Sequence, residues 1–187
     1  AKLYGSFTGC PGTPSFSVNG FGQAFTPAVG KTYQFSGYSY ISSVDSLVGT
    51  DPCLSNRMIA KIVVVDRAAG GNELQANEII LANTRVTKNQ WIPFSISTVA
   101  PTGALRVEAL ILYLQPGCAP GSAFVDDLNF EQDPTAADAA ANLLANPRFT
   151  STLPAWATFG NVFPDARAAA GPPPCGVRKR LPPRPPP

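Results

Sequence analysis

Histidine is absent from the 187 residues, methionine occurs once and tryptophan twice. Without an imidazole the chain lacks the commonest general base, the commonest transition-metal ligand and the side chain that titrates near neutral pH. Serine or cysteine triads and zinc sites in their usual forms are therefore not expected. Charge is scarce as well, at 14% of residues, and the formal net charge is +2. The basic residues are scattered until the C-terminal tail, so no electrostatic stripe is offered to a nucleic acid and no such partner is expected. No run approaches the roughly 18 consecutive apolar residues of a membrane-crossing helix, and no membrane span is expected. The chain opens at Ala1 without a charged segment leading into an apolar one, as a processed chain or a fragment would.

Hydrophobic residues make up 44% of the chain, too many for wholesale disorder. A chain of this length suits one sandwich or barrel with appendages. Most of it reads as β-structure. In KTYQFSGYSYI, from Lys31 to Ile41, Tyr33, Phe35 and Ile41 fall on one face and Gln34, Ser36, Tyr38 and Tyr40 on the other, the period of two that a strand requires. Segments 57–66, 77–82, 91–97, 104–114 and 122–131 repeat the pattern between Gly, Pro, Asn and Asp turn residues, and SFSVNG and GQAFTP are shorter candidates. About eight strands with no amphipathic helix between them predict an all-β fold, an antiparallel jelly-roll β-sandwich with a C-terminal strand-bearing extension.

Composition divides the chain. Residues 1–131 hold the strands and form the sandwich domain; 132–141 are an Ala-rich linker or short helix; 142–170 carry a second apolar segment too short to make its own core; 171–187 are a Pro-rich basic tail. Such a tail favours extended polyproline-like chain.

The stretches FGQAFTPAVGKTYQFSGY (21–38), NQWIPFSISTVAPTGALRVEALILYLQPG (89–117) and FVDDLNFE (124–131) together resemble the jelly-roll carbohydrate-binding modules of bacterial extracellular proteins, within the galactose-binding-like group. The resemblance spans most of residues 1–131. The opening strand of such modules is matched not at the N-terminus, which begins AKLYGSF, but near the C-terminus, in NLLANPRFTSTLPAWATFGNVF (142–163). The order is thus permuted. A sandwich without its first strands has an open edge that must be covered. Residues 142–163 are expected to cover it, with Phe149, Trp156, Phe159 and Phe163 as the packing or assembly residues, either in cis or in a neighbouring subunit by donated-strand complementation. The trans mode is head-to-tail and builds a filament.

The resemblance implies a non-catalytic, secreted glycan binder whose partner is a polysaccharide or other glycan. Its alternative is a self-associating structural subunit of an extracellular filament. Sugar recognition needs flat apolar faces beside fixed polar groups. Tyr38 and Tyr40 share a strand face with Gln34, and Lys61, Arg106 and Glu108 interrupt otherwise apolar strands, which places these three on solvated sheet faces. The six are candidate carbohydrate-binding residues, against the alternative that strand tyrosines pack and cross-strand charge pairs merely stabilise a sheet. Trp91 and Trp156 read as structural rings. The neighbours Asp126 and Asp127 point to opposite faces of a strand and so cannot share one substrate atom as acid and base. By resemblance, Asp126 matches an aspartate that helps hold a structural calcium ion, whose ligands are oxygens; where relatives place a second acidic ligand, after Phe149, this chain has Thr150. Cys10, Cys53, Cys118 and Cys175 lack the spacing of a zinc site, and disulfides in an oxidising compartment are expected, with three connectivities open.

Overall fold

A computed structural model describes residues 1–4, 16–47, 56–67, 71–116, 120–134, 142–149, 153, 155–160 and 162–163, with Phe16 and Phe163 described by their backbone alone. Ten strands form among these residues: β1 (Lys2–Tyr4), β2 (Phe16–Phe25), β3 (Thr32–Tyr40), β4 (Arg57–Val65), β5 (Glu73–Ala82), β6 (Trp91–Val99), β7 (Arg106–Pro116), β8 (Ser122–Gln132), β9 (Ala157–Phe159) and β10 (Val162–Phe163). They pair antiparallel in two five-stranded sheets, ordered β10-β1-β8-β3-β6 and β5-β4-β7-β2-β9. Successive strands from β1 to β4 alternate between the sheets, which is how a jelly roll is wound. The chain is an all-β jelly-roll sandwich carrying a C-terminal strand-bearing extension.

Alternation along each strand decides the core. In β3, Tyr33 and Phe35 are buried while Gln34 and Ser36 are not; in β7, Val107, Ala109, Ile111 and Tyr113 are fully buried between half-buried neighbours. Phe130 joins the layers: it stacks on Tyr33 at 5.6 Å and on Phe25 of the other sheet at 5.3 Å, and meets the edge of Phe35 at 6.1 Å. The Tyr113 hydroxyl lies deep inside, donating to the Gly121 carbonyl at 3.0 Å and accepting from the Asn56 amide at 3.4 Å. Burial pushes its ionisation far above the ordinary tyrosine value, so the phenol remains a neutral donor.

Two segments depart from the sequence reading. SFSVNG and GQAFTP are not separate strands but the two halves of β2, which pairs with β7 over ten positions from Phe16↔Pro116 to Phe25↔Val107. Gly20 and Gly22, where the two segments meet, break the hydrophobic pattern without breaking the ladder, and atoms of neighbouring strands occupy the space their side chains would fill. A Cβ on Gly20 would lie 2.4 Å from the Ile111 carbonyl oxygen, and one on Gly22 would lie 2.3 Å from Leu110 Cδ2. β5 likewise starts four residues before the expected position 77; its exposed polar beginning masks the period of two.

Residues 1–132 contribute four strands to each sheet, and β9 and β10 add a fifth to each. β9 pairs with β2 through Gly20↔Phe159, Phe21↔Thr158 and Gly22↔Ala157; β10 pairs with β1 through Lys2↔Phe163 and Leu3↔Val162. Between them the chain passes from one sheet to the other beside Gly160, whose φ of 70° suits glycine. A Cβ there would fall on the Asn19 side chain. This short segment therefore covers the side of the sandwich where β1 and β2 would otherwise be edges. It is anchored by its side chains more than by its short ladders. Trp156, 5% exposed, meets the edge of Phe21 at 4.9 Å and lies tilted against Phe149 at 5.5 Å, and Phe149 itself meets Phe21 at 5.3 Å. Gln23 completes the attachment by bonding both backbone groups of Ala145.

Candidate glycan-binding face

The outward positions of the first sheet line up in rows, because each strand is in register with the next. Trp91 of β6, Tyr40 of β3, Phe124 of β8 and Lys2 of β1 form one row. Tyr40 is 8% exposed, with the Trp91 ring 5.2 Å away on one side and Phe124 5.9 Å away on the other. The Lys2 ammonium sits 5.6 Å from the Phe124 ring and 5.7 Å from Tyr4, while pairing with Asp45 at 3.5 Å. The next row is Pro93, Tyr38 and Asp126; then come Ser95, Ser36 and Asn129, and last Ser97, Gln34 and Glu131. The face thus grades from aromatic at one end to hydroxyl, amide and carboxylate at the other. Asn129 donates to Glu131 at 2.5 Å, which fixes that polar end.

Of the six candidate sugar-binding residues, Gln34, Tyr38 and Tyr40 lie together on this face. Lys61, Arg106 and Glu108 lie on the outward face of the other sheet, on the far side of the sandwich, so the six do not make one cleft. There Lys61 pairs with Glu73 at 3.1 Å and Arg106 with Glu108 at 2.8 Å. Arg106 and Glu108 also line a shallow groove of about 160 Å³ with Gly22, Ala24, Leu110 and Phe159. Phe159 is 41% exposed at its rim, unlike the buried Phe149 and Trp156. Phe163 is placed by its backbone register alone.

Trp91 and Phe124 went unassigned to this surface in the sequence reading, although the signal was there. Trp91 is out of phase with the inward Phe94, and Phe124 with the inward Ala123 and Val125. Odd and even positions of WIPFSIS already separate Trp91 and Pro93 from the core.

Asp126 faces outward opposite Tyr38, and its carboxylate accepts from the Asp127 amide at 3.0 Å. A bulge at this point, with Asp127 at φ 48°, turns the Asp127 carboxylate to the Arg148 guanidinium at 3.1 Å. Among the described residues no group of three or more His, Cys, Asp or Glu side chains converges at Asp126, and the neighbouring Asp127 carboxylate pairs with Arg148. Thr150 and the four cysteines, Cys10, Cys53, Cys118 and Cys175, lie outside the described residues.

No family model matches the chain, and no curated protein does. Solved structures with a similar course of chain include the enzymatically active domain of tailspike protein 4 from bacteriophage CBA120, 16% identical over 61% of this chain and 14% of that one, with a TM-score of 0.41. Another is TmCBM61 in complex with β-1,4-galactotriose, 15% identical over 62% of this chain and 63% of that one, with a TM-score of 0.37. A third, described as a CBM4, is 16% identical over 66% of this chain and 59% of that one, with a TM-score of 0.34. The chain spans less than two thirds of the length of each. At these identities and scores none of them assigns a ligand to this chain. Among the described residues no helix is long and apolar enough to cross a membrane.

Proposed function

We propose that the chain is a secreted, non-catalytic glycan-binding module and that the outward face of the β10-β1-β8-β3-β6 sheet is its sugar surface. One observation carries the reading: an in-register aromatic row, Trp91, Tyr40 and Phe124, lies beside rows bearing Tyr38, Ser36, Asn129, Gln34 and Glu131. Apolar ring faces suit the C–H face of a pyranose, and hydroxyl, amide and carboxylate groups held by a rigid sheet suit its hydroxyls. Trp91 and Tyr38 are half-buried, so part of each ring remains available, whereas Tyr40 serves as the packed spacer between Trp91 and Phe124.

The test is retention of the protein on a panel of neutral polysaccharides, such as xylan, cellulose and β-1,4-galactan, by affinity electrophoresis and pull-down. Truncating an aromatic anchor at a binding surface commonly costs about 2 kcal/mol, a factor of roughly 30 in affinity. Trp91→Ala and Tyr38→Ala are each expected to lose affinity on that scale, while Lys61→Ala on the opposite sheet keeps it. Equal retention of all three variants, or no retention of the parent chain on any glycan, overturns the assignment.

A further inference from the structure

The outward face of the first sheet and the C-terminal tail have complementary chemistry. Residues 178–187, RKRLPPRPPP, hold the cations Arg178, Lys179, Arg180 and Arg184 among five prolines, with no Asp or Glu. Proline fixes φ near its polyproline II value, so such a stretch loses little entropy when it docks in that form. Segments of this kind dock on aromatic rings, and their arginines pair with neighbouring carboxylates. The sheet face offers both. Trp91 and Tyr38 are half-buried rings around the exposed Pro93, and Asp126 and Glu131 lie beyond them on β8. In formal charge among the described residues, Lys2, Lys31 and Arg148 are balanced by Asp45, Asp133 and Asp127, and Asp126 and Glu131 make the face negative.

We propose that residues 178–187 lie across this face of their own chain and compete with its ligand, as an intramolecular strap. The topology puts the tail on the correct side. It follows β10, which is the edge strand of this same sheet and ends at Phe163. From β10 to β6 is four strand spacings, ~19 Å. The 14 residues 164–177 span ~43 Å as an extended polyproline helix and ~20 Å as a flexible coil, so either form reaches. The repeat also fits. One polyproline turn of three residues advances ~9.3 Å, close to the ~9.6 Å of two strand spacings that separate Pro93 on β6 from Asp126 on β8. With Pro183 on the Trp91 and Tyr38 rings, Arg180 comes over Asp126.

Only weak docking is needed. A short flexible linker gives an effective concentration on the order of 1 mM, so a segment that binds at ~100 μM as a free peptide covers the face about nine-tenths of the time. Ligand affinity of the full chain is then lowered about tenfold. The competition rests on the sugar reading of this face, whereas the docking requires only its rings and carboxylates.

Acrylamide quenching of tryptophan fluorescence in the full chain tests the docking, because Trp156 is buried at 5% exposure and Trp91 stands half-buried on the face. A full-chain variant carrying Arg178→Glu, Lys179→Glu, Arg180→Glu and Arg184→Glu together is expected to be quenched several-fold more strongly than the parent in its accessible component, with an unchanged circular dichroism spectrum. The free peptide RKRLPPRPPP is expected to bind this variant, to lose roughly tenfold or more in affinity with Trp91→Ala or Tyr38→Ala, and to be indifferent to Lys61→Ala on the opposite sheet. On a retained polysaccharide the glutamate variant is expected to bind about tenfold tighter than the parent. Equal quenching of parent and glutamate variant, or peptide binding indifferent to both aromatic substitutions, overturns the proposal. Quenching that changes with protein concentration also overturns it, because the tail would then lie on a neighbouring copy. Peptide docking on Trp91 and Tyr38 without retention of either chain on any polysaccharide refutes the sugar reading and upholds the docking; equal retention of parent and glutamate variant refutes the strap and upholds the sugar reading.

Discussion

Replacing Trp156 by alanine removes the main anchor of the C-terminal segment, and the cost can be worked from its surroundings. An indole buried to 5% exposure withdraws ~150–250 Å² from water, worth about 4–6 kcal/mol at ~25 cal/mol per Å². The edge contact with Phe21 and the tilted contact with Phe149 each add about 0.5–1.5 kcal/mol. Burial already present in the unfolded chain lowers the area contribution by roughly 10–40%. The net expectation is about 4 kcal/mol, within the ~3–5 kcal/mol typical of such truncations and a large part of a domain stability of ~5–15 kcal/mol. Urea titration followed by far-ultraviolet circular dichroism measures it without relying on the deleted fluorophore. Phe159→Ala is the control: the same strand region, a ring left 41% exposed, and an expected loss below ~1 kcal/mol. A Trp156→Ala loss under 1 kcal/mol, or equal losses for the two variants, would refute the view that this segment is held by its buried rings.

Gly22→Val should destabilise the sandwich by about 1–3 kcal/mol or prevent its folding, because the new Cβ would sit 2.3 Å from Leu110 Cδ2 and 2.9 Å from the Ala109 carbonyl oxygen; an unchanged urea midpoint would contradict the register of β2. Tyr113→Phe leaves the Gly121 carbonyl and the Asn56 amide each short of a partner, with an expected cost of about 1–3 kcal/mol by the same titration. The Asp133 carboxyl is held below its ordinary value of 3.8 by the Lys31 ammonium 2.8 Å away and the Thr32 amide. Its contribution to stability is thus fully present above that value and fades as pH falls through the lower folded one, so Asp133→Asn should flatten the acid limb of a stability profile. Lys31, raised above 10.5 by the same contact, contributes below that value and loses its contribution as pH rises through the folded one, which the same variant should also flatten.

The period of two was legible in the chain, and with it the division of β3 and β7 into inward and outward residues; in β8 the bulge at Asp127 shifts the phase, from Ala123 and Val125 inward to Leu128 and Phe130 inward. Alternation follows from pleated backbone geometry, a local property that needs no knowledge of neighbours. Even the outward setting of Trp91 and Phe124 could be read that way, once their phase was weighed above their hydrophobicity. Which outward residues share a surface was not legible. Gln34 and Lys61 sit in equally convincing alternating strands, yet strand order sends one to each side of the sandwich, and strand order is fixed by the register and winding of the whole chain. The same holds for Gly20 and Gly22. Their sequence suggested two short strands, but the side chains of Phe159, Leu110 and Leu112, brought from far along the chain, fill the space above them along one unbroken strand. Local chemistry therefore determined which way each side chain faces, while long-range pairing alone decided what it meets.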